Sequence, residues 1–343
     1  MSAAIQAELE RCVRELHSTD PSVQAEAAKA IQVLTTSYGH EDAVVRSGAL
    51  PRLIELMERG TVGVQERAAA VVANLAVVAE TARAAAQAVV PLVQLLSRGR
   101  LAKEIAAEAL ANLAANPGED QRGTITAAGA LGPLVDLVKG SSRLAQENAA
   151  SALQNLAADH PENARLITEA GAIGPLVELL RLGTPLAQER AAGALLNLAV
   201  DPDSETAMVR AAAVRPLLKL LTRFPPRPRA QQRAAMLLSC LARQHTLEIL
   251  KHGNAIKPLV ELLNCGNSAV EESAADVLFV LTLHPRGWSE AKGFGMLGRA
   301  HESQSPKVRL LVDPMYRKGP GPGKTSELVA LGLGSHAAAS LYI

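Results

Sequence analysis

The chain has 343 residues, 48% apolar and 20% charged, with 62 alanines and few aromatics (one Trp, three Tyr, three Phe). Lys and Arg total 35 against 34 Asp and Glu, a net charge of +1, so bulk charge points to neither nucleic acid nor membrane. Apolar content near half excludes a disordered chain, and no uninterrupted apolar run is long enough to span a bilayer. So few aromatics speak against β-sandwiches and base-stacking domains, leaving an Ala- and Leu-rich helical protein.

From the start of the chain, Met1-Ser2-Ala3-Ala4-Ile5 lacks the basic and apolar regions of a signal peptide, and Ser2 stands where N-myristoylation needs Gly. Cys12, Cys240 and Cys265 are sparse, odd in number and far apart, which fits a reducing, cytoplasmic or nuclear setting without a disulfide framework. Residues 12–17 (CVRELH) and 31–35 (IQVLT) mark two helices of an incomplete first unit. A Pro followed by an amphipathic L-[VI]-x-L-[LM] run then recurs at Pro51, Pro91, Pro133, Pro175, Pro216 and Pro258. About 22 residues after each Pro comes a second marker: VANLA (72–76), LANLA (110–114), LQNLA (153–157) and LLNLA (195–199), then the looser LSCLA (238–242) and LFVLT (278–282). Two independent markers hold one phase across the array.

Residues 161–199 show what one unit contains. Pro161 opens a short helix through Ala170, where its missing N–H costs nothing, and Gly171 stops it. Pro175 begins a second helix through about Arg181, which Gly183-Thr184-Pro185 breaks. A third helix is predicted over Ala187–Val200, burying Ala191, Ala192, Leu195, Leu196 and Leu198. One such unit cannot bury its own apolar face, so neighbours must stack into a continuous core. Phe224-Pro225-Pro226-Arg227-Pro228 predicts a longer turn between second and third helices in the fifth unit.

A unit of this length with a Gly turn and three helices resembles the armadillo repeat, above all in NARLITEAGAIGPLVELL (163–180) and QERAAGALLNLA (188–199). In texture it is most similar to vacuolar armadillo proteins and the armadillo arrays of plant U-box proteins. The resemblance covers roughly residues 5–283. It implies an all-α, right-handed α-solenoid of about six three-helix repeats plus an N-terminal half repeat. Residues 1–283 form that array; residues 284–343 read as a degenerate capping repeat and a Gly/Pro-rich, basic, unstructured tail. The tail carries 8 Lys and Arg against 4 Asp and Glu.

The resemblance further implies that each third helix lines an inner, concave groove. Positions four apart share a helix face, and the stripes there read Glu66–Ala70–Asn74, Glu104–Glu108–Asn112, Glu147–Ser151–Asn155 and Glu189–Gly193–Asn197. A carboxamide both donates and accepts, so it suits clamping a peptide unit of an extended chain, the use importin- and catenin-type armadillo proteins make of an Asn ladder. The bland alternative is that these Asn brace one repeat against the next and that the Glu are helix-start charges favouring the macrodipole. The predicted peptide-binding residues are Asn74, Asn112, Asn155, Asn197, Glu66, Glu104, Glu108, Glu147, Ser151 and Glu189, with Glu272 extending the acidic column. Importin adaptors carry Trp four residues before the ladder Asn; here those positions are Ala70, Glu108, Ser151 and Gly193. The ladder residue is replaced at Cys240 and Val280, so the groove is expected to centre on Pro51–Val200.

No catalytic, cofactor or metal site emerges. Gly319-Pro320-Gly321-Pro322-Gly323-Lys324-Thr325 imitates a phosphate loop, but Lys318 stands where the first Gly is needed, and two prolines remove donors. The eight His are scattered, His160 and His284 preceding Pro. The expectation is a monomeric, non-catalytic scaffold that binds other proteins through extended, basic segments, with no nucleic acid, no cofactor and no membrane anchor. The alternatives are a recognition subunit working with a separate ubiquitin ligase, or a nuclear transport adaptor.

Overall fold

The computed structural model describes residues 3–309, apart from 38, 117–120, 224, 254, 304 and 307. The Gly319–Thr325 motif and the part of the basic segment beyond residue 309 therefore lie outside the described residues, whereas Pro285–Gly293 and Met296–Glu302 of that segment are helical. Helices α1 (Ala3–Glu15) and α2 (Pro21–Ser37) form the first, incomplete unit. Three-helix units follow: α3 (Glu41–Arg46), α4 (Ala49–Arg59) and α5 (Val62–Leu75); α6 (Ala79–Ala85), α7 (Val89–Leu95) and α8 (Arg100–Ala115). Next come α9 (Gln121–Ala127), α10 (Leu131–Lys139) and α11 (Arg143–Ala157), then α12 (Pro161–Glu169), α13 (Ile173–Leu182) and α14 (Pro185–Leu198). The remaining helices are α15 (Pro202–Arg210), α16 (Val214–Leu221), α17 (Pro228–Lys251), α18 (Ile256–Leu262), α19 (Ser268–Thr282), α20 (Pro285–Gly293) and α21 (Met296–Glu302).

Two compact units result. Unit 1 holds Met1–Leu179 with Gly183–Leu198, and unit 2 holds Leu180–Leu182 with Ala199 onward. Within unit 1 the third helices stack in sequence, α5 on α2 and α8, and α11 on α8 and α14. Pairs of alanines make that close approach possible: Ala68–Ala69, Ala106–Ala107, Ala149–Ala150 and Ala191–Ala192 are all fully buried. Second helices touch their counterparts more lightly, as α4 touches α7. The third helices therefore pack on one another more closely than the second helices do. In unit 2, α17 packs on α19 and α18 packs beside α16.

Each second helix starts two residues earlier than its proline suggests: Pro175 is the third residue of α13, and Pro216 the third of α16. The first four N–H groups of a helix have no intrahelical partner, so Pro is tolerated there as well as at the first position. The third helix of the 161–199 unit likewise begins at Pro185, because Thr184 caps it. Between α16 and α17 the connection spans residues 222–227, longer than residues 183–184 between α13 and α14. His245 (φ −119°, ψ 30°) breaks α17 where one unit's third helix passes into the next unit's first. After α19, helix α20 packs on α19 and on α18.

In three units the turn between first and second helices uses a left-handed residue, Gly48 (φ 76°), Gly129 (φ 85°) and Gly171 (φ 79°). In unit 2 the same place holds Ala212 at φ 62°. A Cβ in this conformation costs about 1 kcal/mol or more. Ala212→Gly is expected to stabilise the chain by roughly 0.5 kcal/mol after the added freedom of the unfolded state is subtracted. Urea unfolding measures this, and a loss of stability would contradict it.

Candidate functional site

Helices α5, α8, α11 and α14 carry the predicted groove residues, and all four Asn are half-buried. Asn112 Nδ2 donates to the Ala73 carbonyl (3.2 Å), Asn155 to Ala111 (2.9 Å) and Asn197 to Gln154 (2.8 Å). Each acceptor immediately precedes the previous rung, so the links repeat from helix to helix. Asn74 faces the incomplete unit instead, donating to the hydroxyls of Thr35 (2.8 Å) and Thr36 (2.7 Å) and to the Gln32 carbonyl (3.4 Å). Both N–H groups of Asn74 are thus engaged. At Asn112, Asn155 and Asn197 bracing uses one N–H, and a carboxamide offers a second N–H and an acceptor oxygen. Bracing and ligand capture are therefore compatible on the same side chains.

The Glu column divides. Glu104 is buried, and its Oε1 accepts from Ser142 Oγ (2.5 Å) and Arg100 Nε (3.0 Å). Burial pushes this carboxyl up, but the hydrogen bonds from Ser142 and Arg100 and the Arg100 charge outweigh it, leaving the pKa below the ordinary 4.5. Ser142 is also the cap of α11, its Oγ accepting from the Ala145 N–H (3.4 Å). Thr184 repeats the pattern one unit on, donating to Glu147 and accepting from the Ala187 N–H (3.1 Å). In unit 2, Ser305 donates to Glu272 (2.9 Å) and accepts from the Val308 N–H (3.4 Å). At α11, at α14 and at Ser305 a capping hydroxyl thus reaches the carboxylate of the preceding third helix. Gly99 caps α8 and has no hydroxyl to offer Glu66.

Between the Glu and Asn positions lie Ala70 and Gly193, both buried, half-buried Ser151, and exposed Glu108. Glu108 retains solvent access yet sits among enough protein atoms that burial raises its pKa. Exposed Leu101, Leu144 and Leu186 stand three residues before Glu104, Glu147 and Glu189, forming an apolar edge along the same face. That fixed offset is visible in the sequence and marks residues the acidic column alone does not. A second recurring side chain is the Gln near the starts of α2, α5, α11, α14 and α17. Gln24 donates to the Ser18 carbonyl (2.6 Å), Gln65 to Glu58 (3.4 Å), Gln146 to Gly140 (2.8 Å) and Gln231 to Leu221 (2.9 Å). These bonds close the end of the preceding segment onto the third helix. In unit 2, Cys240 holds the ladder position beside Arg243 Nη2 (3.5 Å), and burial raises its thiol pKa against the opposing charge of Arg243.

Ser142→Ala removes both the cap and the Glu104 link, and is expected to cost about 1–2 kcal/mol at neutral pH. Glu104's depressed pKa gives stability that is present above its ordinary value and lost as pH falls through the lower folded value. The difference between variant and parent should therefore shrink in acid. Urea unfolding at both pH values checks this, and a pH-independent difference would contradict the link.

The Armadillo/beta-catenin-like repeat family matches residues 37–77, 118–158 and 160–200. No curated protein sequence matches the chain. Among solved structures, an engineered protein is 31% identical, with a TM-score of 0.79 over 88% of this chain and 76% of its own. A designed armadillo repeat protein is 29% identical, with a TM-score of 0.64 over 68% of this chain and 99% of its own. A further designed armadillo repeat protein, solved in complex with the peptide (KR)4, is 27% identical, with a TM-score of 0.60 over 68% and 99%. Among the described residues no helix is long and apolar enough to cross a membrane.

Proposed function

Because the chain belongs to the armadillo-repeat family, we propose that it is a non-catalytic interaction scaffold holding extended, basic segments of partner proteins along α8, α11 and α14. The observation that carries this reading is the repeated carboxamide at Asn112, Asn155 and Asn197, each fixed by one bond to the neighbouring helix. Side chains oriented in advance lose little entropy when they bind. Successive helices lie roughly 8–10 Å apart and an extended chain advances about 3.3 Å per residue, so each rung meets about every third residue of the ligand.

Charge and edge chemistry favour Lys and Arg in that ligand. Their aliphatic stems suit Leu101, Leu144 and Leu186, and their heads suit carboxylates such as Glu108. Glu104 and Glu147 are engaged by Ser142 and Thr184, so on this account they mainly brace the stack while Glu108 meets the ligand. The similar designed protein that holds (KR)4 supports the same ligand class.

An alternating Lys–Arg octapeptide is expected to bind and an Asp–Glu octapeptide of the same length to fail, by fluorescence anisotropy at fixed salt. Glu108→Gln should weaken the basic peptide by roughly three- to tenfold without lowering stability, because it removes a charge that burial disfavours. The raised pKa also makes the basic peptide's affinity fall with pH from above the ordinary carboxylate range. Equal binding of the two octapeptides would overturn the reading.

A further inference from the structure

Helix α16 departs from the other second helices in charge, carrying Arg215 and Lys219 with no acidic residue, where α4, α7, α10, α13 and α18 are each neutral. Three residues beyond the helix proline stand Asp136, Glu178, Lys219 and Glu261 in successive units. The residue before the proline is Gly132, Gly174, Arg215 and then Lys257. Helices α16 and α18 lie side by side, and there Arg215, Lys219 and Lys257 line an open cleft of about 610 Å³. Thr222 and His252 line it too, and Glu261 is the single carboxylate among its walls.

The cations do no visible structural work. Among the described residues Arg215 and Lys219 make no ion pair, and both are exposed. Lys257 stands 3.9 Å from Glu261, both about half exposed, a pairing worth little in water. Three permanent charges in one cleft repel one another. Against one carboxylate they leave a local charge of +2, before any contribution from His252. Leu218 and Pro258 add an apolar part to the same cleft.

We propose that this cleft binds a phosphate monoester carried on a protein segment, a phosphorylated Ser or Thr of a partner. A phosphate monoester approaches two negative charges at neutral pH, matching the uncompensated charge of the cleft. The Arg215 guanidinium suits two phosphate oxygens at once, and the lysines act as point charges. Leu218 and Pro258 take the chain that carries the phosphate. A membrane surface fits less well: its attraction needs a broad basic plane, whereas these cations converge on one cleft between two helices and Glu261 shares the wall.

The test uses the full chain and a peptide pool with a central phosphoserine and randomised flanks, compared with the same pool carrying serine. Binding is measured by isothermal titration, with inorganic phosphate as competitor. The phosphorylated pool should bind roughly tenfold tighter or more, and inorganic phosphate should displace it. The double variant Arg215→Ala with Lys257→Ala should abolish the preference while the melting temperature stays unchanged, since both side chains are exposed. Binding of the Lys–Arg octapeptide should also be unchanged in that variant, so failure here and failure of the third-helix groove are told apart. Equal affinity for the two pools overturns the proposal, as does a preference that survives the double variant. Binding confined to phosphatidylcholine vesicles containing a phosphoinositide also overturns it, and would assign the cleft to a membrane.

Discussion

Replacing Asn112, Asn155 and Asn197 together by alanine is expected to lower affinity for the Lys–Arg octapeptide by roughly two to three orders of magnitude. Each carboxamide has one N–H and one oxygen to give to a peptide unit, each bond worth about 0.5–1.5 kcal/mol net. Three rungs then sum to about 3–4 kcal/mol once imperfect geometry is allowed for, and about 1.4 kcal/mol corresponds to tenfold in affinity. The same change removes three half-buried braces, so stability should fall by about 2 kcal/mol without unfolding the chain. Asn74→Ala separates the two effects. Its N–H groups are held by Thr35, Thr36 and Gln32, so it should lose stability and leave affinity nearly unchanged. Equal affinity losses in Asn74→Ala and in each single rung variant would mean the carboxamides act only by holding the stack.

Leu153→Ala should destabilise the chain by about 2–5 kcal/mol. Leu153 is fully buried on α11, which packs on both α8 and α14. Removing three methyl-sized carbons leaves a cavity that two rows of fully buried alanines cannot fill. Repeat arrays draw their stability from each unit's contact with its neighbours, so weakening a middle unit should also uncouple the flanking ones. Circular dichroism in urea would then show an earlier and broader transition than the parent's. A loss below about 1 kcal/mol would contradict the packing described here.

Much of the fold was legible in the sequence because a stack repeats its own grammar. The Pro and N-L-A markers located the second and third helices of unit 1. Helix starts were displaced by two residues because a first-turn Pro, such as Pro175, is tolerated at more than one position. The bracing of the candidate site was harder to read. Ser142 and Glu104 are 38 residues apart, and Thr184 and Glu147 are 37 apart. Neither pair forms a local motif; only the register of one repeat on the next brings them together. The acidic column therefore looked uniform in sequence and proved chemically divided: Glu104, Glu147 and Glu272 are tied to capping hydroxyls, whereas Gly99 offers none to Glu66. Ala212 shows the converse, since nothing local announces a left-handed residue where three other units use Gly48, Gly129 and Gly171. The cations of the α16–α18 cleft, Arg215, Lys219 and Lys257, form no local motif, and only the packing of the two helices brings them together.

The side-chain amide resonances of asparagine give the most direct test of peptide capture by the third helices. With the protein labelled at asparagine nitrogen and the Lys–Arg octapeptide titrated in, the amides of Asn112, Asn155 and Asn197 should shift together and saturate at one dissociation constant. The Asn74 amide should move little. Saturable peptide binding that leaves those three amides unmoved would contradict the account.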